Sequence, residues 1–230
     1  AMRLGSPAHR DWTRLLEHAE EALAADVGVA MAPQMLAPSR DLPSTLTSVT
    51  EASGEDGFGG YAWHASRPSE VFILSEDWPD FAQRALAASS SESEAELRRA
   101  YSSRAQPHLS MPAAELFAQA LLPALVARTE RCEVVYAVGD CGPAVGVVDE
   151  QYSRNPQMRT GLQLPADHGW RWVGVKVPRE ANRDADRLSH PSLLPSLWQE
   201  ALVLGLLPTR VRPAVGHFLP FICLLASKTT

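Results

Sequence analysis

Three acidic residues stand where a carboxylate either ends a strand or is costly to bury. Asp140 ends the apolar, β-branched run at residues 133–140, which predicts a buried central strand. Glu115 is an isolated acid among the apolar residues of a predicted helix, where a carboxylate is costly unless a cation or a proton meets it. Glu51 follows a short apolar strand. Carboxylates at strand ends lie at the rim of a sheet, where we expect these acids to meet.

A fourth acid belongs to the segment at residues 170–190. An aromatic, β-branched run predicts a short strand that Pro178 ends, and Asn182 is placed to cap the helix that follows. Asp184 and Asp186 both lie in the first turns of that helix. Two residues two apart on a helix point about 200° away from each other. Only one of the two aspartates can therefore face a site at the end of the sheet.

The segment at 178–189 resembles the last motif of retroelement ribonuclease H domains, those joined to reverse transcriptases. The residues that carry the resemblance are Pro-Arg-Glu-x-Asn-x-x-Ala-Asp-x-Leu-Ser. The resemblance extends over about residues 45–195, where acids, a Gly-rich hairpin, a helix and strands follow in the family's order. It implies an α/β, RNase H-like fold with a mixed five-stranded sheet flanked by helices, and with extra N- and C-terminal helices.

The resemblance also implies a metal site. In that family four acids hold two Mg²⁺ ions (Mn²⁺ is the other candidate), and the matching residues are Glu51, Glu115, Asp140 and Asp186. Two positions depart from the family pattern: Glu51 stands where the family has Asp, and Cys141 stands where it has Asn. The extra methylene of Glu51 moves its carboxylate by roughly one bond length, which matters for metal-assisted displacement.

The implied activity is hydrolysis of the RNA strand of an RNA–DNA hybrid, selected by groove width and 2′-hydroxyl contacts. The implied partner is such a hybrid or another nucleic acid, and His168 and His190 are candidates for assisting product release. A reverse transcriptase or another protein, docked on the terminal helices, is the implied protein partner. Four arginines are candidate phosphate contacts that would not discriminate sequence: Arg154, Arg159, Arg179 and Arg183.

A second hypothesis keeps the fold without the chemistry. A catalytically weakened or inactive RNase H-like module would serve as a scaffold that binds nucleic acid or protein. The two departures and the acidic composition, with a formal net charge of −6, favour this hypothesis. The retention of four acids in the family's order favours the nuclease.

The composition agrees with a folded chain of modest size. The chain has 230 residues, 45% of them hydrophobic and 21% charged, which suits one large domain with additions. We expect an N-terminal helix and connector at 1–44, the RNase H-like domain at 45–195 and a C-terminal helical extension at 196–230. The three cysteines form no metal-binding pair, and the apolar run at 218–226 is too short to cross a bilayer. We therefore expect a soluble, intracellular protein without membrane contact.

Overall fold

The computed structural model describes residues 44–90, 109–127, 132–163 and 169–218. The helix predicted near the N-terminus, its connector, His168 and the chain after residue 218 lie outside these ranges. Among the described helices, none has both the length and the apolar character needed to cross a membrane.

The described chain forms a six-stranded mixed sheet, flanked by helices. The strands are β1 Thr45–Ala52, β2 Gly57–His64, β3 Glu70–Asp77, β4 Val134–Gly139, β5 Arg171–Lys176 and β6 Leu207–Arg210. Their order across the sheet is β5-β4-β1-β2-β3-β6. Strands β1, β2 and β3 pair antiparallel, while β4 is parallel to β1 and to β5, and β6 is parallel to β3. The prediction of an α/β protein is confirmed.

Within the described ranges, six helices and three short 3₁₀ turns accompany these strands. The helices are α1 Asp80–Ser90, α2 Met111–Val126, α3 Gly142–Glu150, α4 Pro156–Gly161, α5 Arg183–Leu188 and α6 Leu194–Val203. The 3₁₀ turns are Arg179–Asn182, Pro191–Leu193 and Val215–Phe218. The helix predicted around Glu115 is confirmed as α2.

Helix α2 lies in the main core, because it is apolar on every side and buried from its third residue to its last. Its Phe117 packs against Phe58 of β2, with ring centroids 5.9 Å apart. A smaller core of Val71, Ile73, Leu188, Leu194 and Leu197 joins β3 to α5 and α6. Side chains alternate between the faces of a strand. Leu74 joins the main core and Ile73 the smaller one, so α2 and α5–α6 cover opposite faces of the sheet.

Helix α5 lies against the backbone of the sheet. A β-carbon on Gly59 of β2 would lie 2.1 Å from the carbonyl oxygen of Leu188, the last residue of α5. The hydroxyl of Ser75 on β3 donates to that same oxygen at 2.6 Å. The glycine is needed at this place because a larger residue would hold the helix away from the strand. The close approach holds the last residue of α5 against β2 and β3.

The C-terminal part of the described chain differs from the prediction. The sheet has six strands rather than five, and the sixth lies within the segment 196–230 that was predicted to be wholly helical. The helical part of this segment ends with α6 at Val203, because Gly205 adopts a φ of 76° just after it and the chain then extends. Strand β6 has four residues, among them Pro208, and lies at the sheet edge beside β3. Such a strand has too few alternating residues to be recognised from its sequence.

Candidate metal centre

Glu51 and Asp140 meet because β1 and β4 run parallel as neighbours. Val49 of β1 is paired with Val138 of β4, so the two strands end at the same edge of the sheet. Glu51 is the penultimate residue of β1, and Asp140 follows the last residue of β4 directly. Both side chains are partly buried. The prediction that these strand ends bring their acids together is confirmed by the geometry.

Glu115 reaches the same place from α2. Ser110 occupies the N-cap position and Pro112 lies in the first turn, but the hydroxyl of Ser110 donates to Gln157 Oε1 at 3.0 Å and does not cap the helix. Glu115 is the fifth residue of the helix and only 5% exposed. Its Oε2 is buried and has no hydrogen-bond partner among the described residues. A carboxylate oxygen in that state lacks either a proton donor or a cation.

Glu51, Glu115 and Asp140 form an acidic cluster that could hold a metal ion. One carboxylate oxygen from each lies within 4.8 Å of those of the other two. Burial, followed by the hydrogen bond and the charge of Glu51, raises the pKa of Glu115. Burial is also the main cause that raises the pKa of Glu51, and Asp140 adds to it. Carboxylates this close share protons when no cation is bound, and a cation removes the repulsion.

The residues of the acidic cluster fit a hard divalent cation. The donors are carboxylate oxygens, which Mg²⁺ and Mn²⁺ prefer, and one of them is buried without a partner. In the described part of the chain, no lysine or arginine forms an ion pair with any of the three acids. The positive charge that the cluster needs is therefore absent from these ranges.

Asn182 contributes an amide to the acidic cluster, which the sequence did not predict. It was predicted to cap α5, and it occupies the N-cap position, but its side chain makes no capping hydrogen bond. Its Nδ2 instead donates to Glu51 Oε2 and, at 3.2 Å, to the backbone carbonyl of Thr50. Asn182 is 1% exposed. The signal in the sequence was the position of Asn182 in the motif, four residues before Asp186, the expected fourth acid.

Asp186, the predicted fourth ligand, is not part of the acidic cluster. The structure thus brings together three of the four predicted acids. Asp184, the other aspartate of α5, accepts a hydrogen bond from Arg187 at 3.5 Å. The role of Asp186 in metal binding stays a prediction.

Gln119 is a further polar residue next to the acidic cluster. It lies one helical turn after Glu115, is fully buried, and neither atom of its amide has a partner among the described residues. A β-carbon on Gly139, the residue before Asp140, would lie 2.4 Å from its Nε2. A glutamine four residues after a glutamate in an otherwise apolar helix was the signal in the sequence.

Cys141, which stands where the family has Asn, occupies the N-cap position of α3. Burial raises the pKa of its thiol, so the thiol stays protonated and neutral beside Asp140. The Nζ of Lys176 is close to the same helix start, 3.3 Å from where a β-carbon on Gly142 would be.

The predicted phosphate-contact residues are all at the surface: Arg154, Arg159, Arg179 and Arg183 are exposed. Arg179 is the first residue of the 3₁₀ turn that Asn182 ends, and Arg183 follows Asn182 directly. His190, proposed above to assist product release, is instead bonded through Nδ1 to Asp56 Oδ2 at 2.5 Å. That contact ties the end of α5 to the turn between β1 and β2.

Comparisons with protein-family models, curated proteins and solved structures returned no significant match.

Proposed function

We propose that the protein is a metal-dependent endonuclease of the ribonuclease H type, which hydrolyses the RNA strand of RNA–DNA hybrids. The observation that carries the proposal is the acidic cluster. Glu51, Glu115 and Asp140 come from three separate elements and offer oxygens within 4.8 Å of one another. The order of the elements also supports it, because strand acid, hairpin, helix acid, strand acid, helix, strand and helix follow as the resemblance implies.

The three acids would hold Mg²⁺, or Mn²⁺ in its place, as oxygen ligands. Held there, such an ion would supply activation of the attacking water and stabilisation of the leaving 3′-oxygen of a phosphodiester. The chain keeps the acids in place by strand pairing for Glu51 and Asp140 and by core packing for Glu115. The exposed Arg179 and Arg183 would contact the phosphates of the substrate.

Two observations favour the second candidate, a nucleic-acid-binding module with weakened catalysis. Asp186 is outside the acidic cluster, and Glu51 has a longer side chain than the aspartate of the family. A cluster with three carboxylates holds two divalent ions less firmly than one with four, because each ion brings two positive charges.

The deciding experiment is cleavage of an end-labelled RNA–DNA hybrid in Mg²⁺ and in Mn²⁺. The Asp140→Asn variant is expected to lose more than about 100-fold in rate, because a charged ligand is removed from the site. The matched control is Asp149→Asn on α3, where the exposed Asp149 accepts a hydrogen bond from Gly174 N at 3.1 Å and an amide oxygen can do the same. The control is expected to cleave as the wild type does.

Absence of cleavage in both metals, with binding of the hybrid retained, would favour the weakened module. The Glu51→Asp variant then tests the cause. Cleavage restored by that variant would identify the longer side chain of Glu51 as the defect.

A further inference from the structure

Asn182 is held at the acidic cluster by two hydrogen bonds from one amide group. Its Nδ2 donates to the Thr50 carbonyl oxygen at 3.2 Å and to Glu51 Oε2. The first bond anchors the amide to the backbone of β1, next to the residue that the second bond contacts. Asn182 is 1% exposed, so water does not compete for either bond.

Capping of α5 does not explain this asparagine. An asparagine at an N-cap position normally accepts a hydrogen bond from a backbone amide of the first turn, and Asn182 accepts none. Its Oδ1 is buried and has no partner among the described residues. The side chain thus gives up its usual bond and leaves an acceptor unsatisfied while it donates to Glu51, which points to a function at the acidic cluster.

Glu51 is the acid that most needs such support. A glutamate has one more rotatable bond than an aspartate, so its carboxylate can adopt more conformations. The neighbouring carboxylate of Asp140 repels it when it is ionised, while a hydrogen bond with Glu115 favours its charged form. A neutral amide donor can hold the carboxylate without bringing a positive charge that would compete with a metal ion.

We propose that Asn182 is a positioning residue of this site, which orients the Glu51 carboxylate for metal binding. The inference rests on the proposed function for its metal. The resemblance implies that α5 contributes a fourth carboxylate to the site. In this proposal the 3₁₀ turn before α5 contributes a neutral amide, that of Asn182. Asn182 precedes Asp186 by four residues, and of the two it is the amide that bonds to Glu51.

The test is a double-mutant cycle read by Mn²⁺ binding to the full chain, measured by electron paramagnetic resonance of the free ion. Asn182→Ala is expected to weaken Mn²⁺ binding by about 10- to 100-fold, the usual effect of losing a residue that orients a metal ligand. In a Glu51→Ala background the same substitution is expected to change the affinity by less than about 2-fold, because its target is gone. In hybrid cleavage, Asn182→Ala should lower kcat and leave KM for the hybrid unchanged.

The chain offers a matched control, because its only other asparagine is Asn155. That residue caps α4, accepting from Gln157 N at 2.9 Å, and takes no part in the acidic cluster. Asn155→Ala should therefore bind Mn²⁺ as the wild type does. Circular dichroism shows whether each variant folds, and Asn182→Ser, which keeps a polar group too short to reach Glu51, replaces the alanine variant if that one does not fold.

Unchanged Mn²⁺ binding by Asn182→Ala would overturn the positioning role alone, and so would an equal loss in both backgrounds. A wild-type chain that binds no Mn²⁺ would overturn the metal site of the proposed function, and the positioning role with it. The two failures are therefore distinguishable by the wild-type titration.

Discussion

Two groups of acids, one around Arg187 of the short helix α5 and the other the acidic cluster, differ in how their charge is balanced. Asp184 and Glu200 share Arg187, which donates to Glu200 at 2.8 and 2.5 Å and to Asp184 at 3.5 Å. The hydrogen bond from Arg187 lowers the pKa of Glu200. In the acidic cluster, burial and neighbouring carboxylates raise the pKa values of Glu51 and Glu115.

The acids around Arg187 have a positive charge to balance them, whereas the acidic cluster has none from the described residues. The acids of the Arg187 group are paired within the chain and partly exposed, so their contribution to stability is small. The acids of the acidic cluster are held together without a cation from the described residues, which costs folding free energy. A divalent cation, which the acidic cluster could hold, would offset this cost.

The largest expected effect on stability comes from Glu115→Gln in metal-free protein. At pH 7 the wild type must protonate Glu115 to bury it, which costs about 3 kcal/mol for a carboxyl with an ordinary pKa of 4.5. The amide removes that cost, so the free energy of unfolding in EDTA should rise by about 3 kcal/mol. Urea denaturation measures the change.

The same substitution in the paired group, Glu200→Gln, should act in the opposite direction and by much less. It removes one partner of Arg187 at the surface. Equal stabilisation by both variants would show that the acidic cluster is no more strained than the surface pair.

The free energy of unfolding of the metal-free protein should fall as the pH rises towards 7. Because the folded-state pKa of Glu115 is raised, its contribution is fully present below about pH 4.5 and is lost as pH rises towards that pKa. Between pH 5 and pH 7 the free energy of unfolding should fall by about 2.5 kcal/mol from this residue. Urea denaturation of the wild type at the two pH values in EDTA measures the fall.

Added Mn²⁺ should reverse that trend, because metal binding needs ionised ligands and stabilises the folded state by about 2.7 kcal/mol at 100 times Kd. Glu115→Gln supplies the control, and its stability should change little between the two pH values. An equal fall in wild type and variant would assign the pH dependence to other groups.

Gly59→Ala should have the next largest effect, because α5 carries Asp184 and directly follows Asn182, which bonds to Glu51. The new β-carbon would lie 2.1 Å from the Leu188 carbonyl oxygen, a backbone atom that cannot rotate away. We expect a loss of about 2 kcal/mol in the free energy of unfolding, and weaker Mn²⁺ binding because Asn182 moves with the helix. Thermal unfolding and Mn²⁺ titration measure the two effects.

The control for that variant is Gly146→Ala on α3, where nothing lies within 4 Å of the new β-carbon. Alanine is the better helix former, so this variant should gain up to about 1 kcal/mol. If Gly59→Ala left Mn²⁺ binding unchanged, the position of α5 would not determine the metal site.

The smallest expected effect is that of Arg187→Ala. It removes the positive charge shared by Asp184 and Glu200, and the loss of stability should be below that of Gly59→Ala and should shrink as salt is added. Mn²⁺ binding should not change. A large, salt-independent loss would mean that Arg187 supports α5 by packing rather than by its charge.

Much of the fold could be predicted because its signals are local. The apolar runs before Glu51 and Asp140 and the apolar helix around Glu115 follow the periods of strand and helix, which can be read from residues close in sequence. Neighbouring parallel strands end at one edge, so the meeting of Glu51 and Asp140 followed from the order of elements. Strand β6 was not predicted, because it is its pairing with β3 that makes it a strand, and its own residues carry no strand pattern.

The contribution of α5 and the turn before it was decided only by the tertiary structure. Asn182 bonds to Glu51, 131 residues earlier in the chain, while Asp186 is outside the acidic cluster. A shift of one residue in the start of a helix turns every side chain by about 100°, and no local pattern determines that shift. Here the 3₁₀ turn at Arg179–Asn182 and the close packing of Leu188 on Gly59 determine it. Types and spacing can thus name the acids of a site, but only packing decides which side chains reach it.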